Sequence, residues 1–228
     1  FIYNTTVLPR LQILILADNN ISSFLTDIQI SEQNDLHSPS LLVNLNVRGN
    51  KLSNLLFMKY LPRLKYLYAS NNLLERFGWN QYQGHQHLIT MDFSGNHFEV
   101  FEGFTNLSTL LNLDLSSNRI KSVKQDALEG SSALQRLFLD KNQLTRFPVF
   151  GSQTALYELT LSFNQIRQIS NDTFERFTHL RTCILSHNNI SGVGPFQGEP
   201  EISVERLDIS YNNIRRLADI FLLAFRNV

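Results

Sequence analysis

The chain has 228 residues, with 20 Lys and Arg against 20 Asp and Glu, for a formal net charge of zero. Without a run of basic residues, nucleic acid and acidic membrane surfaces are poor candidates for its main partner. No apolar run reaches membrane-spanning length, no signal peptide opens the chain, and a single cysteine leaves the redox compartment undecided.

In chain order, residues 1–10 read as the tail of an earlier turn, since Leu8 stands three before Leu11 at an outer apolar position. From Leu11 a pattern opens that the rest of the chain repeats. Its fullest copy is Leu110-Leu111-Asn112-Leu113-Asp114-Leu115-Ser116-Ser117-Asn118-Arg119-Ile120, or L-x-x-L-x-L-x-x-N-x-L. The alternation of Leu113 and Leu115 predicts a short strand with one buried face. The asparagine falls where the chain leaves that strand. There a side-chain amide can pair backbone groups that water does not reach.

The asparagines recur at Asn19, Asn50, Asn72, Asn96, Asn118, Asn142, Asn164, Asn188 and Asn212. Their spacings are 31, 22, 24, 22, 24, 22, 24 and 24 residues. All but the first fall within roughly 20–29 residues, the period of leucine-rich repeats. The expected fold is therefore an α/β leucine-rich repeat solenoid, a curved horseshoe with a parallel concave β-sheet and an irregular convex side. Residues 1–228 read as a single array of about nine repeats. No cap is visible at either end, so the array is expected to be part of a longer solenoid.

Individual repeats add detail. The first, residues 11–21, carries Ile13 and Ile15 at outward positions. The long first step places extra residues in the polar segment 27–40, a surface loop or, on a sharper reading, a contact loop. Ala69 replaces a larger apolar residue and should thin the core. The link 77–87 holds Trp79, His85 and His87. Two histidines without a companion Cys or acid do not make a metal site, and no metal or cofactor is expected. Phe101, Phe104, Phe147, Phe150, Phe174 and Phe177 recur in the outer halves, where rings would fill the wide side of the curve. Residues 192–203 read as an irregular outer loop. Leu217, Leu222, Phe225 and Val228 belong to a turn that the chain does not finish. Cys183 occupies an apolar core position and reads as a buried hydrophobe.

Residues between the fixed apolar positions should line the open face of the sheet. Nine strands about 4.8 Å apart give a face on the order of 40 Å long, which suits a protein or chain-like ligand better than a small molecule. Its richest patch combines Arg136, Phe138, Tyr157, Glu158, Phe163 and Arg181, and a second holds Lys65, Tyr66 and Tyr68. Exposed aromatics with arginine are the usual makeup of interface anchors, although cross-strand pairing would use the same residues. Asp92, Asp114 and Asp208 share one column without an aligned histidine and read as structural. No G-x-S-x-G, Walker, Rossmann or HExxH pattern occurs, so an enzyme is not expected.

Sequons stand at Asn4, Asn20, Asn106, Asn171 and Asn189. Asn20 and Asn189 directly follow ladder asparagines. Asn4, Asn106 and Asn171 fall between strands and are the candidate glycosylation sites. They favour an extracellular or cell-surface location.

The outer pattern N-x-L-x-x-[L/I/V]-x-x-x-x-F-x-x-[L/F] is best seen from Asn164 through Ile166 and Ile169 to Phe174, Phe177 and Leu180. It resembles the extracellular typical class of leucine-rich repeats, which includes Toll and Toll-like receptor ectodomains and chaoptin-like adhesion proteins. The resemblance covers nearly the whole chain, and the irregular steps and insertions look most like Toll-like receptors. It implies an innate immune receptor ectodomain segment that binds a protein or glycoconjugate by its concave or lateral face, with homodimers or heterodimers possible. Any membrane attachment would lie outside this chain. The alternatives are a cell-adhesion or matrix protein and an intracellular repeat scaffold.

Overall fold

The computed structural model describes residues 10–24, 41–76, 85–104, 107–150, 155–170, 173–174, 177–193 and 204–215. The loop 27–40, Trp79, the candidate glycosylation sites Asn4, Asn106 and Asn171, residues 194–203, and Leu8, Leu217, Leu222, Phe225 and Val228 lie outside the described residues.

One sheet organises the molecule. Its strands are β1 (Ile13–Ile15), β2 (Asn44–Asn46), β3 (Tyr66–Tyr68), β4 (Thr90–Asp92), β6 (Asn112–Asp114), β8 (Arg136–Phe138), β9 (Glu158–Thr160), β11 (Thr182–Ile184) and β13 (Arg206–Asp208). They pair in that order, all parallel, with the same repeat positions opposite each other throughout. On the outer side, β5 (Val100–Phe101) pairs with β7 (Ser122–Val123), and β10 (Gln168–Ile169) with β12 (Gly192–Val193). Among the described residues the only helix is a 3-10 turn at Leu56–Tyr60. The fold is thus a leucine-rich repeat solenoid whose outer arc is built from extended segments and turns.

Strands of three residues cannot stand alone. Each buries its central residue under the next: Leu45, Leu67, Met91, Leu113, Leu137, Leu159 and Cys183 are fully enclosed. The apolar positions before and after these strands, from Leu42 to Leu185, are enclosed with them. At roughly 1.5–3 kcal/mol for each large side chain, this column is the main stabilising term. Ala69 is also fully buried, in a column whose neighbouring members are Val47 and the much larger Phe93. Leu11, Leu14 and Leu16 in the first described turn, and Leu207, Ile209 and Ile214 in the last, are only partly buried. The outer phenylalanines are enclosed as expected, but they meet edge to face rather than stacked. Phe101–Phe104, Phe147–Phe174, Phe147–Phe177 and Phe150–Phe177 have centroid separations of 5.5 to 6.0 Å.

The asparagine column locks one turn to the next. Asn142 donates from Nδ2 to the carbonyls of Leu139 and Asp140 in its own turn and of Leu115 in the turn before. Its Oδ1 accepts the backbone N–H of Ile120, also from the turn before. Asn50, Asn72, Asn96, Asn118, Asn164, Asn188 and Asn212 repeat the arrangement, with Oδ1 accepting from Ile21, Leu52, Leu74, Phe98, Leu144, Ile166 and Ile190. Asn19 makes the two bonds within its own turn. Only an amide carries both a donor pair and an acceptor in this shape, which is why one residue type fills the column.

Candidate functional site

On the open face, residues on either side of the buried strand centre point outward and set its chemistry. Ile13 and Ile15 are exposed on β1. Tyr66 and Tyr68 are half-buried on β3, with Lys65 exposed before them. The next strands carry Asp92 and Asp114, paired in register.

These acids close turns. Asp92, Asp114 and Asp208 each accept the backbone N–H of the serine two residues on, at 2.8 to 3.0 Å. Burial, with Asp92 and Asp140 adding like charge, holds the Asp114 carboxyl above its ordinary range despite the Ser116 hydrogen bonds. The hydrogen bonds from Ser210 hold Asp208 below its ordinary range.

The strongest polar–aromatic group lies on β8, β9 and β11. Arg136 and Glu158 face each other across neighbouring strands and form an ion pair at 3.4 Å. Arg136 also reaches Asn112 Oδ1 at 3.4 Å. Phe138 stands two residues along the same strand, half-buried. Tyr157, 49% exposed, precedes Glu158, and Arg181 holds the corresponding position one strand further on. Arg181 pairs with Glu205 at 2.6 Å. Each arginine is thus ion-paired to an acid of the following turn, with Tyr157 in the turn between them and Phe138 beside Arg136 on β8. Such exposed pairs add little stability; what they contribute is position.

Phe163 stands apart from this group. It lies beyond the end of β9, in the turn that leads to Asn164, with φ of +56°. The left-handed backbone takes the chain out of the strand before Phe163, so strand alternation does not carry it to the open face. Its ring stacks instead on His187 at 4.2 Å, and His187 stacks on Tyr211 at 4.2 Å, with planes within 8° and 6° of parallel. The signal for this row was present in the sequence: Phe163, His187 and Tyr211 each directly precede a ladder asparagine.

His85 is buried and its Nε2 lies 2.8 Å from the carbonyl of Met58. It serves the packing of the 3-10 turn, while His87 is exposed. Among the described residues no group of three or more His, Cys, Asp or Glu could hold a metal ion. Cys183 is fully enclosed, and burial pushes its thiol up, away from the reactive thiolate. No helix among the described residues is long and apolar enough to cross a membrane. A cleft of about 340 Å³ on the outer side is lined by Arg146, Phe147, Pro148 and Phe177. The hydroxyls of Ser170 and Thr173 at its rim bond each other at 2.9 Å.

Comparison with known proteins agrees with the geometry. Residues 101–144 and 154–214 match the leucine rich repeat family. No curated protein matches the chain. Among solved structures, it is similar to the APL1 leucine-rich repeat domain, at 24% identity and a TM-score of 0.62, over 88% of this chain and 56% of that one. It is similar to TLR13 in its complex with ssRNA13, at 22% identity and a TM-score of 0.68, over 82% of this chain and 31% of that one. An internalin (inlF) of Listeria monocytogenes gives 17% identity and a TM-score of 0.61, over 93% of this chain and 64% of that one. The chain thus spans between about a third and two thirds of the length of these neighbours, and the likeness at such identities concerns the fold. By repeat pattern, matched segments and architecture, the molecule is a leucine-rich repeat solenoid.

Proposed function

We propose that the chain is an extracellular recognition module that binds a protein or glycoconjugate on the open face of its sheet, as a segment of a Toll-like receptor ectodomain. The observation that carries this is the group on β8, β9 and β11. Phe138 beside Arg136, and Tyr157 in the turn between Arg136 and Arg181, offer aromatic surface next to two arginines, each ion-paired to an acid of the next turn. Rigid aromatic anchors beside oriented arginines are the composition of interface hot spots. A rigid parallel sheet holds them in register, so little ordering entropy opposes binding.

The Toll-like assignment rests on the outer repeat pattern and its irregular spacing. The extracellular location rests on the sequons at Asn4, Asn106 and Asn171. An adhesion protein of the same fold would use the same face.

The test is a binding screen of the secreted chain against extracellular proteins and glycans, followed by mapping. A partner found this way should lose about 2 kcal/mol or more when Phe138 and Tyr157 are both changed to alanine. Unaltered affinity in a folded double variant would move the interface off this face. Bare asparagine at every sequon after secretion from a eukaryotic cell would count against the location.

A further inference from the structure

The nine residues that precede the ladder asparagines all have positive φ, between +53° and +66°. In the first four turns they are Asp18, Gly49, Asn71 and Gly95, the residue types that accept a left-handed backbone most readily. In the last five they are Ser117, Lys141, Phe163, His187 and Tyr211. Bulky side chains there carry a conformational cost that the fold does not require, since smaller residues make the same turn in the first half.

The three rings are also exposed. Phe163 is 50% and Tyr211 76% accessible, and His187 is exposed although both its faces are covered. Apart from the outer faces of Phe163 and Tyr211, what the row presents to solvent is therefore ring edges, the electropositive part of an aromatic ring.

The neighbouring positions extend this character. Residues one and three after each ladder asparagine alternate with more buried ones, an alternation that places them on the side of the exposed rings. From Asn118 onward these columns and the one before the asparagine carry Arg119, Lys121, Lys141, Arg167 and Arg215 and no carboxylate; in the first four turns the three carry Asp18, Glu75 and Glu99 against Lys51. Lys121 pairs with Glu99 at 3.0 Å, and the other four cations form no ion pair among the described residues. Gln165, Asn189 and Asn213 add an amide row, with Asn213 Nδ2 donating to Asn189 Oδ1. A chain of zero net charge has thus gathered cations, ring edges and amides on one half of one lateral face.

We propose that this lateral face, from Lys141 to Arg215, is a docking surface for an acidic segment of a partner protein. Carboxylates would meet Lys141, Arg167 and Arg215, and carbonyl oxygens the ring edges and amides. A single-stranded nucleic acid suits the face less well, because base stacking needs open ring faces. Here the inner faces cover one another, and only the outer faces of the two end rings, Phe163 and Tyr211, have no ring neighbour among the described residues. The surface lies outside the open-face group, so failure here would leave that reading standing.

The test uses the whole chain and a labelled glutamate-rich peptide, with a lysine-rich peptide and an oligodeoxythymidine as comparisons. The glutamate peptide should bind best, more weakly as salt rises. A ring-proton resonance of His187 should move on titration. Arg167→Glu with Arg215→Glu should weaken binding about tenfold or more, as should Phe163→Asn with Tyr211→Asn. Lys51→Glu, in the first half, should leave it unchanged. Absence of binding, indifference to both pairs of substitutions in folded protein, or tighter binding of the oligodeoxythymidine would overturn the proposal.

Discussion

Two adjacent columns of the solenoid share a backbone and differ in everything else. The ladder column holds asparagine in all nine turns, while the column one residue before it holds eight residue types, with only glycine repeated, at nearly constant φ. From Asn50 on, each ladder amide satisfies backbone groups of two turns, mostly out of reach of water. Substitution there leaves a backbone N–H of the turn before without its acceptor and removes a link between turns. The preceding residue faces solvent, and its backbone angle is imposed by the bonds on either side. Constant geometry therefore does not imply constant chemistry. The residue type is dictated where the side chain completes the backbone's hydrogen bonds, and it is free to serve another purpose where it does not.

The largest expected effect lies in the ladder. Asn142→Ala removes four hydrogen bonds and strands the N–H of Ile120, while the carbonyls of Leu115 and Leu139 keep the bonds from Asn118 and Asn164. At roughly 1–3 kcal/mol for the orphaned N–H and roughly 0.5–1.5 kcal/mol for each of the other bonds lost, the loss should be about 4 kcal/mol in denaturant unfolding. Asn142→Asp should cost more at neutral pH, because a carboxylate faces three carbonyl oxygens with no proton to donate. It should recover in part on acidification, as the protonated acid regains a donor.

A smaller effect sharpens the contrast within the exposed column. A Cβ on Gly95 would stand 2.2 Å from Asn71 Oδ1, at φ of +66°. Gly95→Ala should therefore cost about 1–2 kcal/mol. Adding Asn71→Ser should return part of that, since the obstructing atom is the end of a side chain. A cost undiminished in the double variant would locate the strain wholly in the backbone.

The smallest effect concerns Asp114. A folded-state pKa above the unfolded value means that the ionised carboxyl opposes folding. Stability falls as pH rises from the ordinary aspartate range through the raised pKa, and the penalty stands in full above it. Asp114→Asn keeps the acceptor for Ser116 and removes the charge. The variant should melt slightly above the parent at pH 7, and the difference should vanish as pH falls below the ordinary aspartate range. A variant that melts lower at pH 7 would show that the charge itself helps hold the turn.

Much of this was legible in the amino-acid sequence, for a physical reason. Leu110, Leu113, Leu115, Asn118 and Ile120 recur because each turn meets the same neighbours, so the register of nine strands follows from spacing alone. The structural role of Asp92, Asp114 and Asp208 was likewise local, since each bonds a serine two residues away. Phe163 was grouped with the open face by its place between the fixed apolar positions, whereas it lies in the left-handed turn beyond β9. The burial of His85 was not legible, because its partner, the Met58 carbonyl, lies 27 residues earlier. The edge-to-face meeting of the outer rings depends on packing across turns, which spacing does not encode.

The account turns on the claim that the aromatic row is not needed for folding. Denaturant unfolding of the parent and of a triple variant, Phe163→Asn, His187→Asn and Tyr211→Asn, tests it most directly. Two ring contacts worth about 0.5–1.5 kcal/mol each are lost, and three left-handed positions are relieved, by an amount of similar size. The predicted net change is within about 1 kcal/mol, with an unaltered denaturant slope. A loss as large as that of Asn142→Ala would contradict the account and make the row a structural spine of the solenoid.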